Sequence, residues 1–175
     1  TLDKFFIVAA GNINHNDLIK YADKYITKKL KDTGGKRSEL ILQPADDLFV
    51  EKDIQQVHYI IGKTTYGFKE KKRIGISVLS HILGEGSSSR LFQKVREENG
   101  IAYQINTFLN SFFDISTFGV YLSTNEKSIF KAQSLIFEEI EKIKSRKVGD
   151  VELDRAKEYL IGNMLMSLES TTNRM

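Results

Sequence analysis

Arg96 and Tyr103 are the residues of this chain whose types and spacing point to chemistry. They stand seven positions apart in the run Arg90-Leu91-Phe92-Gln93-Lys94-Val95-Arg96-Glu97-Glu98-Asn99-Gly100-Ile101-Ala102-Tyr103. Leu91, Phe92 and Val95 predict a short helix with one apolar side, and Gly100 predicts a turn into a strand that opens at Tyr103. A guanidinium and a phenol brought together round a tight turn can both donate hydrogen bonds to a peptide carbonyl. Taken singly, each has a plainer reading. Arg96 is a solvated helix charge beside Glu97 and Glu98, and Tyr103 is a strand residue with an apolar ring and a wet hydroxyl.

Other chemistries find less support. His15, His58 and His81 are far apart, and none belongs to a His-Glu-x-x-His motif or its inverse. The chain by itself is therefore expected to hold no catalytic zinc. Gly84-Glu85-Gly86 follows a predicted helix rather than a strand and lacks a Gly-Lys-Ser/Thr ending. A helix C-terminus with Gly86 at positive φ explains it better than a phosphate loop. Ser87, Ser88 and Ser89 have no neighbouring histidine to act as base, so they are expected to cap a helix rather than attack a substrate.

The elements that must position these residues follow from periodicity. Phe5 to Ala10 is a short apolar run ending at Gly11, a buried-strand signal. Leu18, Ala22, Tyr25-Ile26 and Leu30 recur at helical spacing after a candidate N-cap, Asn14, with Gly34-Gly35 as the stop. Lys31 to Ser38 and the single proline, Pro44, mark a connection. Val57 to Ile61 predicts a second strand, with Leu48 to Lys52 pairing nearby. Arg73 to Leu83 predicts a buried helix. Ile101 to Leu109 and Thr117 to Ser123 predict an antiparallel pair turned at Ser111 to Asp114. Two long helices follow. One carries Ile129, Ala132, Ile136, Ile140 and Ile143 on one face; the other is capped by Asp150 and carries Leu153, Ala156, Leu160-Ile161, Met164 and Leu168. The expected fold class is α+β, a mainly antiparallel sheet with helices layered on one face.

Composition narrows the class further. A chain of 175 residues with 41% apolar and 28% charged residues can bury one domain's core. Its net charge of +3 comes from bases interleaved with acids, too weak an excess to imply nucleic acid. No cysteine is present, so disulfides, thiolate metal sites and thiol nucleophiles are excluded. No apolar run approaches the roughly 18 residues of a membrane helix. The start at Thr1-Leu2-Asp3-Lys4 lacks a signal-peptide pattern, and the end at Met175 closes a periodic helix. The expectation is a single domain, residues 1–175, cut at both ends from a longer parent of cytoplasmic, bacterial type, an exported parent being left open.

Together these residues resemble the carboxy-terminal domain of the pitrilysin-type zinc peptidases, the family of insulin-degrading enzyme and the mitochondrial processing peptidase. The matching segments are Gly86-Ser87-Ser88-Ser89-Arg90-Leu91-Phe92, Val95-Arg96-Glu97 and Gly100-Ile101-Ala102-Tyr103. Phe6-Ile7-Val8-Ala9-Ala10-Gly11-Asn12-Ile13, Asp114 to Tyr121 and Glu152 to Lys157 also fit, so the likeness covers nearly the whole chain. Ser116 departs from it, standing where relatives often have Gly, and the chain stops before a final strand and helix.

The resemblance implies a zinc-bearing partner domain or subunit with a His-x-x-Glu-His motif, closed with this one as a clamshell or dimer. It implies that Arg96 and Tyr103 reach across to the scissile bond of an extended peptide. Tyr103 would donate to the carbonyl oxygen as charge develops, and Arg96 would hold the substrate. The parent would be a zinc-dependent endopeptidase acting on unfolded peptides. The alternative implied by the same family is a non-catalytic partner or scaffold subunit.

Overall fold

The computed structural model describes residues 6–26, 41, 47–51 and 54–174, in two compact units. The larger unit, residues 45–160, is built on three antiparallel strands. These are β1 (Val57–Tyr66), β2 (Gln104–Ser111) and β3 (Ile115–Thr124). The spatial order is β1-β3-β2, with Val57 opposite Thr124 and Gln104 opposite Ser123. Strand β1 runs past its expected end at Ile61, because Thr64, Thr65 and Tyr66 continue the ladder to Ile115. The hairpin between β2 and β3 turns through residues 112–114, where the sequence placed it. Inside that hairpin the buried Ser116 donates its hydroxyl to Ser111 Oγ at 3.1 Å.

Strand alternation puts Ile105 of β2 and Val120 and Leu122 of β3 on the face that the helices cover. Helix α2 (Arg73–Gly84) supplies Leu83 to this core, and α3 (Ile129–Ser145) supplies Ala132, Leu135 and Ile136. Ile129, Ile140 and Ile143 are half-buried against it, as the helical spacing predicts. Helix α4 (Asp150–Ser167) begins in this unit and buries Ala156. Asp150 is its first residue, not its cap: Gly149 O accepts the Leu153 N–H at 3.0 Å. An acid in that first turn is favoured by the helix dipole. The opposite sheet face is barer, with Ile60 64% exposed. The α+β arrangement of helices on one face of an antiparallel sheet thus holds.

In the smaller unit, residues 1–44 and 161–175, α1 (His15–Tyr25) is capped by Asn14, whose side chain accepts the Asn16 N–H at 2.9 Å. The apolar residues Ile161 and Met164 near the end of α4, and Leu168 just after it, are exposed rather than buried. A short helix, α5 (Thr171–Arg174), follows.

Two expected strands do not form. Residues 6–10 are irregular, with Phe6, Ile7 and Val8 exposed. Residues 47–51 are likewise irregular, with Leu48 and Phe49 almost fully exposed. An apolar run becomes a strand only where a neighbour completes its backbone bonds. Among the described residues the ladders join β1, β3 and β2 only to one another. Phe5, Leu30, the Lys31-to-Ser38 stretch with Gly34-Gly35, Pro44 and Lys52 lie outside the described residues.

The end of α2 packs closely against β2. A Cβ at Gly84 would lie 2.8 Å from the Thr107 backbone nitrogen. Close by, Thr107 Oγ1 donates to Ser80 O at 2.8 Å and accepts from Ser80 Oγ at 3.0 Å. Gly84→Ala must therefore push helix and strand apart. We expect it to lower the unfolding free energy by about 1–3 kcal/mol, read from the urea midpoint, and an unchanged midpoint would show that the contact is not needed.

Candidate functional site

Arg96 and Tyr103 sit at the two ends of one closed turn. After α2 the chain leaves through Glu85 and Gly86, the latter at φ +86°, as expected of a helix end. Ser89 does not cap with its hydroxyl, which donates back to Gly86 O at 2.7 Å. Instead Ser89 O accepts the Gln93 N–H at 3.0 Å, starting the next helical stretch. That stretch widens over Phe92–Glu97 into a π-turn, seen in the Glu98 N–H bond to Gln93 O at 2.9 Å. Nothing in the local sequence announces the extra residue.

Leu91 and Val95 are both completely buried and fix which way the turn faces. Arg96, next to Val95, is consequently exposed. Its guanidinium carbon lies 4.9 Å over the Phe92 ring, a cation–π contact. Glu98 is occupied by Lys94 at 2.7 Å, and Arg96 makes no ion pair among the described residues. The turn then closes through Gly100, at φ +61°. The Gly100 N–H donates to Arg96 O at 3.0 Å, and the Ile101 N–H donates to Val95 O at 3.3 Å. Each of these bonds is one residue wider than its counterpart in a Schellman motif, which is how the turn absorbs the π-winding.

Tyr103 emerges next. Its backbone N–H donates to Ser123 O at 2.9 Å, extending the β2 ladder by one residue. Ser123 Oγ in turn donates to Gln56 Oε1 at 3.1 Å. The Tyr103 side chain is 59% exposed. Both expected site residues are therefore presented to solvent from backbone that is tied down on each side. Each can donate hydrogen bonds outward, Arg96 through its guanidinium and Tyr103 through its hydroxyl.

The donor set does not fit zinc. Catalytic zinc takes three protein ligands at one point, whereas the three histidines are differently engaged. His58 Nδ1 is 2.8 Å from Tyr121 Oη. His81 is 6% exposed and stacks on Tyr159 with centroids 4.1 Å apart, its buried Nδ1 unpartnered. His15 opens α1 in the other unit. No group of three or more His, Cys, Asp or Glu capable of holding a metal occurs among the described residues.

Sequence reasoning missed the pair that braces this turn. Arg90, six residues before Arg96, donates through Nε and Nη2 to the two carboxylate oxygens of Glu152, each at 2.7 Å. This joins the start of the turn to the first turn of α4. The bonds from Arg90 hold the Glu152 carboxyl below its ordinary range, and those to Glu152 raise the Arg90 guanidinium further. An Arg and a Glu 62 residues apart carry no local signal of pairing.

The fold and this turn identify the class. Residues 1–160 match the model of the peptidase M16 inactive domain, and the chain belongs to that family. It is 30% identical over 178 residues to the zinc protease YmxG of Bacillus subtilis, covering 100% of this chain and 42% of that protein. It is 29% identical over 175 residues to a Streptomyces coelicolor zinc protease, covering 94% and 38%. The chain thus spans about two-fifths of these curated relatives. Among solved structures it is similar to a Helicobacter pylori protease, with TM-score 0.72 and 23% identity, over 93% of this chain and 41% of that one. A chain of Complex III2 from Candida albicans has TM-score 0.69 and 20% identity over 93% and 41%. These two likenesses show the fold.

Glu152→Gln should lower stability at pH 7 by about 1 kcal/mol, as befits a bidentate but part-exposed pair. Because the folded-state carboxyl ionises at lower pH than the unfolded one, the stabilisation is full above about pH 4.3. It is lost as pH falls through the lowered folded value. The gap between wild type and Glu152→Gln in thermal unfolding should therefore close in acid. A gap that stayed constant down to pH 2.5 would show that the carboxylate charge is not its source.

Proposed function

We propose that this chain is the substrate-contacting domain of a zinc-dependent endopeptidase for extended, unfolded peptides, with Arg96 and Tyr103 as its contribution to the site. The observation that carries this reading is the joint exposure of Arg96 and Tyr103 at the ends of one closed turn, in a member of a peptidase family. Zinc belongs to the family through relatives named as zinc proteases. The donor set described above does not fit it, so the metal and the attack on the peptide belong to a second, zinc-bearing domain or subunit that closes over this one. On this reading the isolated 175-residue chain is inactive.

The chemistry asked of this chain is electrostatic. As the peptide carbonyl becomes tetrahedral its oxygen gains negative charge, and a hydroxyl donor already in place is worth more there than in the ground state. Tyr103 supplies that donor. Arg96 holds the peptide backbone and adds positive potential without changing its own protonation. Neither residue reads a side chain, which suits an enzyme that accepts varied extended sequences through main-chain hydrogen bonds.

The test uses the parent protein, in which this chain is joined to its zinc-bearing part, and a fluorogenic peptide. Tyr103→Phe should lower kcat by about 10²–10³-fold with little change in KM, and Arg96→Ala should lower kcat/KM by at least about tenfold. Zinc content should be unchanged in both. Full activity in both variants removes the two residues from the mechanism.

A scaffold role is the second reading, favoured by the occurrence of this fold in a Complex III2 structure. The two readings part on the metal. Stoichiometric zinc in the purified parent, with peptide cleavage abolished by a chelator and restored by zinc, supports the peptidase. A parent that purifies metal-free and inactive supports the scaffold.

A further inference from the structure

We propose that Arg90 and Glu152 form a positioning clasp for the Arg96–Tyr103 turn, acting on the reaction through those two residues. The inference rests on the peptidase reading above and deepens it.

The clasp differs in kind from the exposed same-helix ion pairs among the described residues. Lys20–Asp17, Lys144–Glu141 and Lys157–Asp154 are exposed pairs three residues apart on one helix, an arrangement that contributes little. Arg90 instead reaches a different element, with both carboxylate oxygens engaged at 2.7 Å and only 22% of its side chain exposed. A planar fork on a planar carboxylate fixes orientation as well as distance. Lysine in its place could keep the charge but not that geometry.

The location of the pair gives it a purpose. The segment between Ser89 and Tyr103 carries the candidate site and is wound as a π-turn, a poorer hydrogen-bonding geometry than an α-helix. Its far end is tied by the Gly100 and Ile101 amides and by the Tyr103 amide on β3. Its near end is held by Leu91 burial, by hydrogen bonds within residues 86–93 (Ser89 Oγ to Gly86 O at 2.7 Å, Gln93 Nε2 to Ser87 O at 2.6 Å) and by Arg90, whose neighbour in the chain is that same Leu91. Apolar burial of Leu91 and Val95 sets which side faces inward, but it is non-directional, and the local bonds tie the stretch only to its own preceding loop. The bidentate pair adds a directional restraint to a separate element. Its other anchor lies in the first turn of α4, which Ala156 holds against the core. A displacement of the order of an ångström at a donor aimed at a developing oxyanion is enough to cost rate.

The experiment compares Glu152→Gln and Arg90→Lys with wild type in the zinc-loaded parent, alone and in the Tyr103→Phe background. If the clasp positions the turn, each single variant lowers kcat by about tenfold or more, KM stays within about twofold, and zinc content is unchanged. In the Tyr103→Phe background the same substitutions lower kcat by a clearly smaller factor, because the hydroxyl donor they aim has gone and only Arg96 remains to be misplaced. Equal losses in both backgrounds would reduce the pair to a general stabiliser. Full kcat in both variants, alongside the expected loss in Tyr103→Phe, overturns the clasp while leaving the peptidase reading intact. Unimpaired Tyr103→Phe and Arg96→Ala enzymes overturn both. A readout independent of activity accompanies these: hydrogen exchange of the Gly100 and Ile101 amides in the 175-residue chain, under conditions where circular dichroism shows it folded. Glu152→Gln should speed that exchange about tenfold relative to amides of the β1–β3 ladder, and equal rates would refute the clasp.

Discussion

The placement of Val95 governs everything the candidate site needs. Its side chain is completely buried, so the helical stretch cannot rotate about its axis without exposing it or driving the neighbouring charges into the core. Its carbonyl accepts the Ile101 N–H, so the point that fixes rotation also fixes where the next strand begins. The side chain is held by removal of apolar surface from water, the carbonyl by a directional bond. With both constraints on one residue, Arg96 must emerge on one side and the chain must reach Tyr103 within a single turn. Leu91 repeats the burial four positions earlier. Arg96 then needs no carboxylate partner, being propped on the Phe92 ring of its own turn.

The parts of this arrangement that were legible in the sequence are those written in local periodicity. Helices α2, α3 and α4 announced themselves through apolar residues at helical spacing, and the β2–β3 hairpin through two β-rich runs around residues 112–114. Gly86 and Gly100 marked the turns because φ there is positive, at +86° and +61°. The expected strands at Phe5 to Ala10 and Leu48 to Lys52 show the other side of the same logic. An apolar run states that a segment prefers burial, but whether it is a strand depends on a neighbour that the run does not encode. Asp150 was read one position off, since Gly149 could offer a carbonyl but no side chain to notice.

The candidate site divides in the same way. Arg96 and Tyr103 stood out as candidates through the family resemblance of the run that holds them, their spacing alone favouring plainer readings, and the exposure of Arg96 follows from the burial of Val95. The π-winding could not be anticipated, because it reflects a compromise among Leu91, Val95 and the closing amides rather than any residue preference. Nor could the Arg90–Glu152 pair, whose members lie on elements that meet only in three dimensions.

The π-turn also makes the segment sensitive to length. A helix with ordinary winding tolerates exchange of exposed residues, and its phase is reset at each turn by the same hydrogen-bond pattern. Here the count of residues between Arg90 and Gly100 is itself part of the geometry, since one extra residue is stored in the winding and released in the widened closing bonds. Removing any one of them would take out that stored residue and return the stretch to α-winding, so the widened closing bonds from Gly100 and Ile101 would lose their partners' spacing. This turn can therefore take changes of letter in the stretch far more readily than changes in its number of residues.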